Sequence, residues 1–334
     1  VDLSTQYLGL SLPHPVVVGA SPIVDDLDLV KRAEDAGAAA IIMHSLFEEQ
    51  LTVEQLAHDA HVDSHADTHA EASSFLPAPL DYALGPDEYL EQLRRIKQHV
   101  NVPIMASLNG VTNEGWLEYA KLIEQAGADA LELNVYYLPM DPELSGAEVE
   151  RLVIEMVRHV RSETTLPLSV KLSPSYSSPV HFARQLVAAG AAGVVVFNRY
   201  YEPDIDVERL ELSPRLQLST SSELLLRLRW VSALFGKVNA SLAVTGGVHT
   251  HIDALKAVMA GADLVQMVSA LLKNGPEHIG QVVECMGLWL EEHEYDSLAQ
   301  AKGSMSLDRC PDPTHYHRGN YLRILQSFHH LMTR

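Results

Sequence analysis

The stretch "IEQAGADALELN" spans residues 123–134. It joins the tail of a helical pattern, an Ala-Gly pair and a run of apolar residues that reads as a buried strand. The same succession recurs in "AEDAGAAAIIMH" (33–44), "LVAAGAAGVVVFN" (186–198) and "VMAGADLVQMVS" (258–269). Gly37, Gly127, Gly190 and Gly261 fall where each helix should end, a position that favours a left-handed C-cap. Four further apolar strands lie between these units: "PVVVGAS" (15–21), "VPIMASLN" (102–109), "PLSVKLS" (167–173) and "ASLAVTGG" (240–247). Three of the four carry proline at or near the start, where a missing N–H is tolerated. Helix starts are marked as well. Thr220–Glu223, Thr250–Asp253 and Ser145–Glu148 have capping-box spacing, and Ser178-Pro179 puts proline at a first helical position. The strands are almost wholly apolar, as in a parallel sheet covered on both faces. Eight strand–helix units in one chain predict an α/β fold, a (β/α)8 TIM barrel. A doubly wound open sheet is the alternative, but no GxGxxG follows the first strand.

Two excursions break the rhythm, at 45–101 between the second and third strands and at 199–222 after the sixth. The second reads as a β-ribbon over the barrel mouth. The first contains "LAHDAHVDSHADTHAEASSF", in which His58, His61, His65 and His69 would share one helix face. Imidazoles so spaced can bind zinc. Acidic and small residues fill the gaps and no apolar stripe anchors the segment, so it is read as a solvated helix or flap and no metal site is predicted. Residues 1–294 are expected to form the barrel. Residues 295–334 form a tail whose last stretch has helical apolar spacing at Tyr321, Leu322, Ile324, Leu325 and Phe328, and it is expected to pack on the barrel or on a second subunit.

The chain has 334 residues, 47% hydrophobic and 20% charged, with a formal net charge of −20. That balance suits a soluble globular protein and argues against a nucleic-acid or anionic-membrane surface, which needs clustered Lys and Arg. Two cysteines, Cys285 and Cys310, are too few for an iron–sulfur cluster. Cys285 lies in a helical pattern and is expected to be a buried structural thiol. No apolar run approaches the roughly 20 residues that span a bilayer, and "VDLSTQYLGLSLPHP" lacks the regions of a signal peptide. The expectation is a cytoplasmic protein.

In a TIM barrel the C-terminal strand ends share one mouth, and the site lies there. The ends here are Ala20-Ser21, His44-Ser45, Asn109, Asn134, Lys171, Asn198, Thr245-Gly246-Gly247 and Ser269. Asn and Ser are ordinary turn residues. Lys171 is different, because an ammonium among apolar neighbours needs a partner or a ligand. Gly246-Gly247 precedes a capped helix, where bare amides can hold a phosphate. With Lys171 and Ser269 they predict a phosphorylated ligand.

At these residues the chain resembles the class 1 dihydroorotate dehydrogenases, and most closely a branch of dihydroorotate dehydrogenase-like proteins. The matching stretches are "HPVVVGAS", "SLNG", "LELN", "SVKLSP", "VVVFN" with "YEPDID", "AVTGGV" and "GADLVQMVSAL", which carry the likeness to about Ser306. The resemblance implies an FMN-dependent oxidoreductase of CH–CH bonds, passing a hydride between a dihydropyrimidine such as dihydroorotate and flavin N5. It implies Ala20 and Ser21 beside the flavin, Asn109 and Asn134 on its ring or the substrate, and Lys171 at its N1–O2 edge. Asn198 would face the substrate, and Thr220, Gly246, Gly247 and Ser269 would hold the phosphate. Electrons would pass to a soluble acceptor or a separate redox protein, and the chain is expected to be a homodimer.

The sequence departs from that family in the substrate half. The family's catalytic cysteine is Tyr137 here, its lysine after the second strand is replaced in "MHS" (43–45), and its substrate loop reads "SSFLPAPLDY" (73–82). An unperturbed phenol is only about 0.1% ionised at neutral pH, so Tyr137 needs a strong local field to act as a base, and Tyr136 or a water-relayed group is the alternative. Two alternatives follow. One is a flavin ene-reductase with Tyr137 as proton donor. The other is a non-redox phosphate-binding aldolase or isomerase using Lys171.

Overall fold

The computed structural model of the chain describes residues 1–48, 50, 85–110, 118–200, 202–213 and 216–332. Eight parallel strands close into a barrel in sequential order. They are β1 (Val16–Val18), β2 (Ile41–Phe47), β3 (Ile104–Asn109), β4 (Ala130–Asn134), β5 (Leu168–Leu172), β6 (Gly193–Val196), β7 (Ser241–Thr245) and β8 (Leu264–Met267). The outer helices include α1 (Leu27–Asp35), α2 (Pro86–His99), α3 (Glu118–Gln125), α4 (Gly146–Glu163), α5 (Pro179–Ala188), α6 (Leu224–Leu234) and α7 (His251–Ala260). The repeat glycines do what their spacing predicts. Gly37, Gly127, Gly190 and Gly261 have φ of 90°, 95°, 114° and 127°. Ser145 with Glu148 and Thr250 with Asp253 form capping boxes on α4 and α7. Thr220 does not: its hydroxyl pairs with Ser222, and only a short 3-10 turn follows it.

The strands carry two cores. The outer one, between strands and helices, includes Val18, Ile41, Leu131, Val170 and Val196. The inner one fills the lower barrel with Val17, Ile42, Met105, Ala130, Val195, Ala243 and Leu264. An N-terminal hairpin, Thr5–Tyr7 with Leu10–Leu12, inserts Tyr7, Leu8 and Leu12 into that inner core. The hairpin covers the N-terminal end of the barrel.

One strand is irregular. Between Ile42 and Ser45 the β2–β3 register shifts, which is the mark of a bulge. The Tyr89 hydroxyl of α2 lies at the gap, accepting from Ser107 N (2.9 Å) and donating to Ser107 O (3.1 Å). The extra residue turns Ser45 inward and leaves His44 beside Tyr89 and Asp25.

After β6, Asp204–Asp206 pairs antiparallel with Glu211–Ser213 in a short ribbon. The tail divides in two. Its first part docks closely: Leu298 and Ala301 join the main core, and Gly303 and Met305 donate backbone bonds to Val258 and Met259. The last helix, Asn320–Met332, leaves Tyr321, Leu322 and Ile324 66%, 62% and 61% exposed, so this face does not pack on the barrel. Cys285 is half-buried rather than enclosed, because it sits on the flank of its helix His278–Glu292. Among the described residues no helix is long and apolar enough to cross a membrane. The four histidines 58, 61, 65 and 69, and the stretch 73–82, lie outside the described residues.

Candidate active site

A cleft of about 370 Å³ opens at the C-terminal ends of the strands. Its lining includes Ala20, Ser21, Lys171, Asn198, Gly246, Gly247 and Ser269, which brings seven sequence-predicted residues to one place. Asn109 and Asn134 are buried at the ends of β3 and β4, beneath the same mouth. Two further predicted residues lie outside this lining. Thr220 is exposed and absent from the lining, and the neighbouring Ser219 takes its place. Tyr137 is half-buried against the outer core, while Tyr136 lines the cleft. Just past β4 the backbone turns tightly, Tyr136 N donating to Asn134 O (3.1 Å), and the two tyrosines part there.

One end of the cleft is built for an anion. Gly246 and Gly247 have φ of +85° and +82°. A Cβ on Gly247 would stand 2.4 Å from Leu224 N, so only glycine lets the loop meet the start of α6. Ser219 ties three elements together. Its Oγ accepts from Gly247 N (3.4 Å) and contacts His249 Nε2 (3.1 Å), its N–H donates to Ser269 Oγ (3.0 Å), and Lys273 Nζ donates to its carbonyl (3.2 Å). The buried Arg227 guanidinium lies against Gly246 and donates to Thr245 O and Glu223 O. Burial first, and then the Lys273 charge, hold the His249 imidazole below its ordinary value. Backbone amides, hydroxyls and two cations around one loop suit a phosphate.

The floor of the cleft carries charge. Lys171 Nζ donates to Glu132 Oε1 at 3.0 Å, and Gln266 Nε2 donates to Glu132 Oε2 at 2.7 Å. Glu132 is 1% exposed. It is the partner that the apolar setting of Lys171 demanded, and the motif "LELN" held it in plain view as a carboxylate inside an apolar strand.

Beside the floor runs a chain of amides and hydroxyls. Asn198 Nδ2 donates to Asn134 Oδ1, Asn134 Nδ2 donates to Ser45 Oγ (2.8 Å), and Ser45 Oγ meets Ser107 Oγ (2.8 Å). The β2 bulge is what brings Ser45 into this chain. Above it, the rings of Tyr136 and Tyr200 meet edge to face at 4.9 Å. The Tyr200 hydroxyl donates to the Tyr137 carbonyl (2.9 Å), and burial raises its pKa above the usual phenol value.

Three buried polar atoms at the mouth have no partner among the described residues: Ser21 Oγ, Asn109 Nδ2 and Gln266 Oε1. Buried polar groups are nearly always satisfied, so a ligand with both donors and acceptors is expected above them. A flavin ring fits that requirement, and the anion end fits its phosphate.

The sequence profile for dihydroorotate dehydrogenase matches residues 82–289, well over half of the chain. The chain belongs to the dihydroorotate dehydrogenase family. It is an oxidoreductase of CH–CH bonds, as the family is. It is 26% identical over 315 residues to the catalytic subunit of dihydroorotate dehydrogenase B (NAD(+)) from Thermoplasma acidophilum, covering 90% of this chain and 98% of that protein. It is 23% identical over 328 residues to NAD-dependent dihydropyrimidine dehydrogenase subunit PreA of Escherichia coli K12, covering 90% and 76%. A third relative is the chloroplastic dihydropyrimidine dehydrogenase (NADP(+)) of Arabidopsis thaliana, 23% identical over 334 residues, with 90% and 76% covered.

Proposed function

We propose that the cleft holds FMN and that the protein is a flavin-dependent dehydrogenase of a dihydropyrimidine ring. The carrying observation is that one cleft joins an anion cradle (Ser219, Gly246, Gly247, Ser269) to a floor of Lys171, Ser21 and Gln266 with two unpaired polar atoms. Its volume falls in the range of roughly 300–1,000 Å³ usual for cofactor sites. When bound, the flavin supplies two-electron chemistry at a CH–CH bond. The protein's own residues do the rest. Ser219, the two glycine amides and Ser269 hold the phosphate. Lys171 lends positive charge to the floor. Asn198, steadied by Asn134 and Ser45, orients the substrate. Tyr136 lies on the cleft wall and takes the proton-handling role that the sequence had placed at Tyr137.

Electrons leave for a soluble acceptor or a separate redox protein. The names of two relatives, a catalytic subunit and a subunit PreA, describe parts of larger assemblies. A homodimer joined through the exposed face of the last helix fits the same picture.

A second reading, reduction of an activated C=C bond, has one observation in its favour. Tyr200 lies on the cleft wall with its hydroxyl donating to the Tyr137 carbonyl, and burial raises its pKa, so the phenol presents a proton rather than a base. The aldolase reading loses its nucleophile, since the Lys171 ammonium is engaged with Glu132.

The test is the visible spectrum of purified protein before and after anaerobic addition of dihydroorotate or dihydrouracil. A yellow protein bleached by either compound supports the dehydrogenase. A yellow protein bleached by neither, and reoxidised after photoreduction by an activated alkene, supports the reductase. A colourless protein that takes up no FMN sinks both.

A further inference from the structure

Glu132 does not line the cleft, yet it touches two residues that do. Lys171 and Glu132 are 6% and 1% exposed, so their charges face each other with little water between them. Glu132 lies behind both groups that would meet the flavin. Resting on the flavin reading above, we propose that Glu132 is a positioning residue that sets the reduction potential of the flavin by clamping and partly neutralising Lys171.

Two consequences follow from the geometry. A carboxylate accepts hydrogen bonds and donates none. Gln266 must therefore turn its Nε2 to Glu132, which leaves Oε1 at the cleft as a fixed acceptor for a ligand N–H. The second concerns charge. Lys171 alone would present a full positive charge to the anionic reduced flavin and favour it strongly. Paired with Glu132 at 3.0 Å it presents the front of a dipole, whose field falls off faster with distance. The pair thus holds the potential lower than the lysine by itself would, which suits a flavin that must pass its electrons onward.

The experiment is a dye-coupled redox titration of the flavin-loaded full chain in four forms: wild type, Glu132→Gln, Lys171→Met, and the double variant. Glutamine keeps the shape and its oxygen can still bond Lys171, so Glu132→Gln removes the countercharge, while its amide nitrogen meets Gln266 and turns that side chain round. It is expected to shift the flavin's equilibrium toward the reduced form by at least tenfold, raising its potential by about 30 mV for a two-electron couple. Lys171→Met is expected to shift it the other way, with the double variant between the two. The double variant leaves no unpaired buried charge and is the form best placed to fold if a single one fails. In that case its potential must lie above that of Lys171→Met. A Glu132→Gln potential at or below wild type, or a double variant no higher than Lys171→Met, overturns the inference while a yellow wild type leaves the flavin reading standing. A wild type that binds no flavin overturns both.

Discussion

Single residues in this cleft are under different physical constraints, and substitutions separate them. Lys171→Met leaves the 1%-exposed Glu132 without its cation. Breaking one side of a buried pair typically costs roughly 3–5 kcal/mol, whereas the double change with Glu132→Gln should recover most of it; urea unfolding of the three variants checks this. Gly247→Ala forces a Cβ to 2.4 Å from Leu224 N at φ +82°. The left-handed conformation alone costs about 1–2 kcal/mol in an L-residue. The variant is expected to fold with a displaced loop and to emerge from purification with little flavin, read from the visible-to-ultraviolet absorbance ratio. The tyrosines make a paired test of the proton-handling role. Tyr136→Phe should lower kcat by about 10²–10⁴ if the phenol moves the proton, while Tyr137→Phe, with its ring against the outer core, should change it only a few-fold. Equal losses in both would remove Tyr136 from that role.

At the scale of elements, the site depends on features that join one segment to the next. The turn after α1 is held by His14, whose Nε2 donates to Gly37 O (2.7 Å) while Nδ1 accepts from Val16 N (3.3 Å). This is the neutral tautomer, and burial depresses the pKa of His14 below its ordinary 6.5. His44 is depressed for the same reason, with Asp25 partly opposing. The unfolded chain therefore binds more protons than the folded one just below pH 6.5, so stability falls as the pH drops through that range. Thermal unfolding between pH 7.5 and 5 should show a falling Tm, with a shallower slope in His14→Gln. An unchanged slope would assign the effect elsewhere. The β2 bulge is the second such feature. It turns Ser45 toward Asn134, and Tyr89 satisfies the strand edge it opens. Neither the bulge nor the Tyr89 bond has a signature in the sequence, because a one-residue register slip depends on which strand lies alongside.

For the whole molecule, the barrel puts its polar strand ends in one mouth and stops the other end with Tyr7, Leu8 and Leu12. The tail is anchored by its first half and leaves the apolar face of its last helix outward. If that face joins two copies, truncation after Ser306 should halve the particle mass in sedimentation; an unchanged mass removes the tail from any interface. The sequence by itself determined the repeat, the eight strands, the glycine caps, and the cleft residues Lys171, Gly246, Gly247 and Ser269. These follow from local periodicity and from residue types whose backbone or charge needs are specific. It also exposed Glu132 without revealing its use, since a carboxylate in a strand shows its partner only when the neighbouring strand is placed. That Tyr136 and Ser219 line the cleft, while Tyr137 and Thr220 do not, is visible only in the tertiary structure. Each is a shift of one position in a loop that leaves the barrel mouth, where the local turn settles which side chain faces inward. Which of two neighbours meets the ligand is set by how the barrel closes around the cleft, and composition and spacing are the same for both.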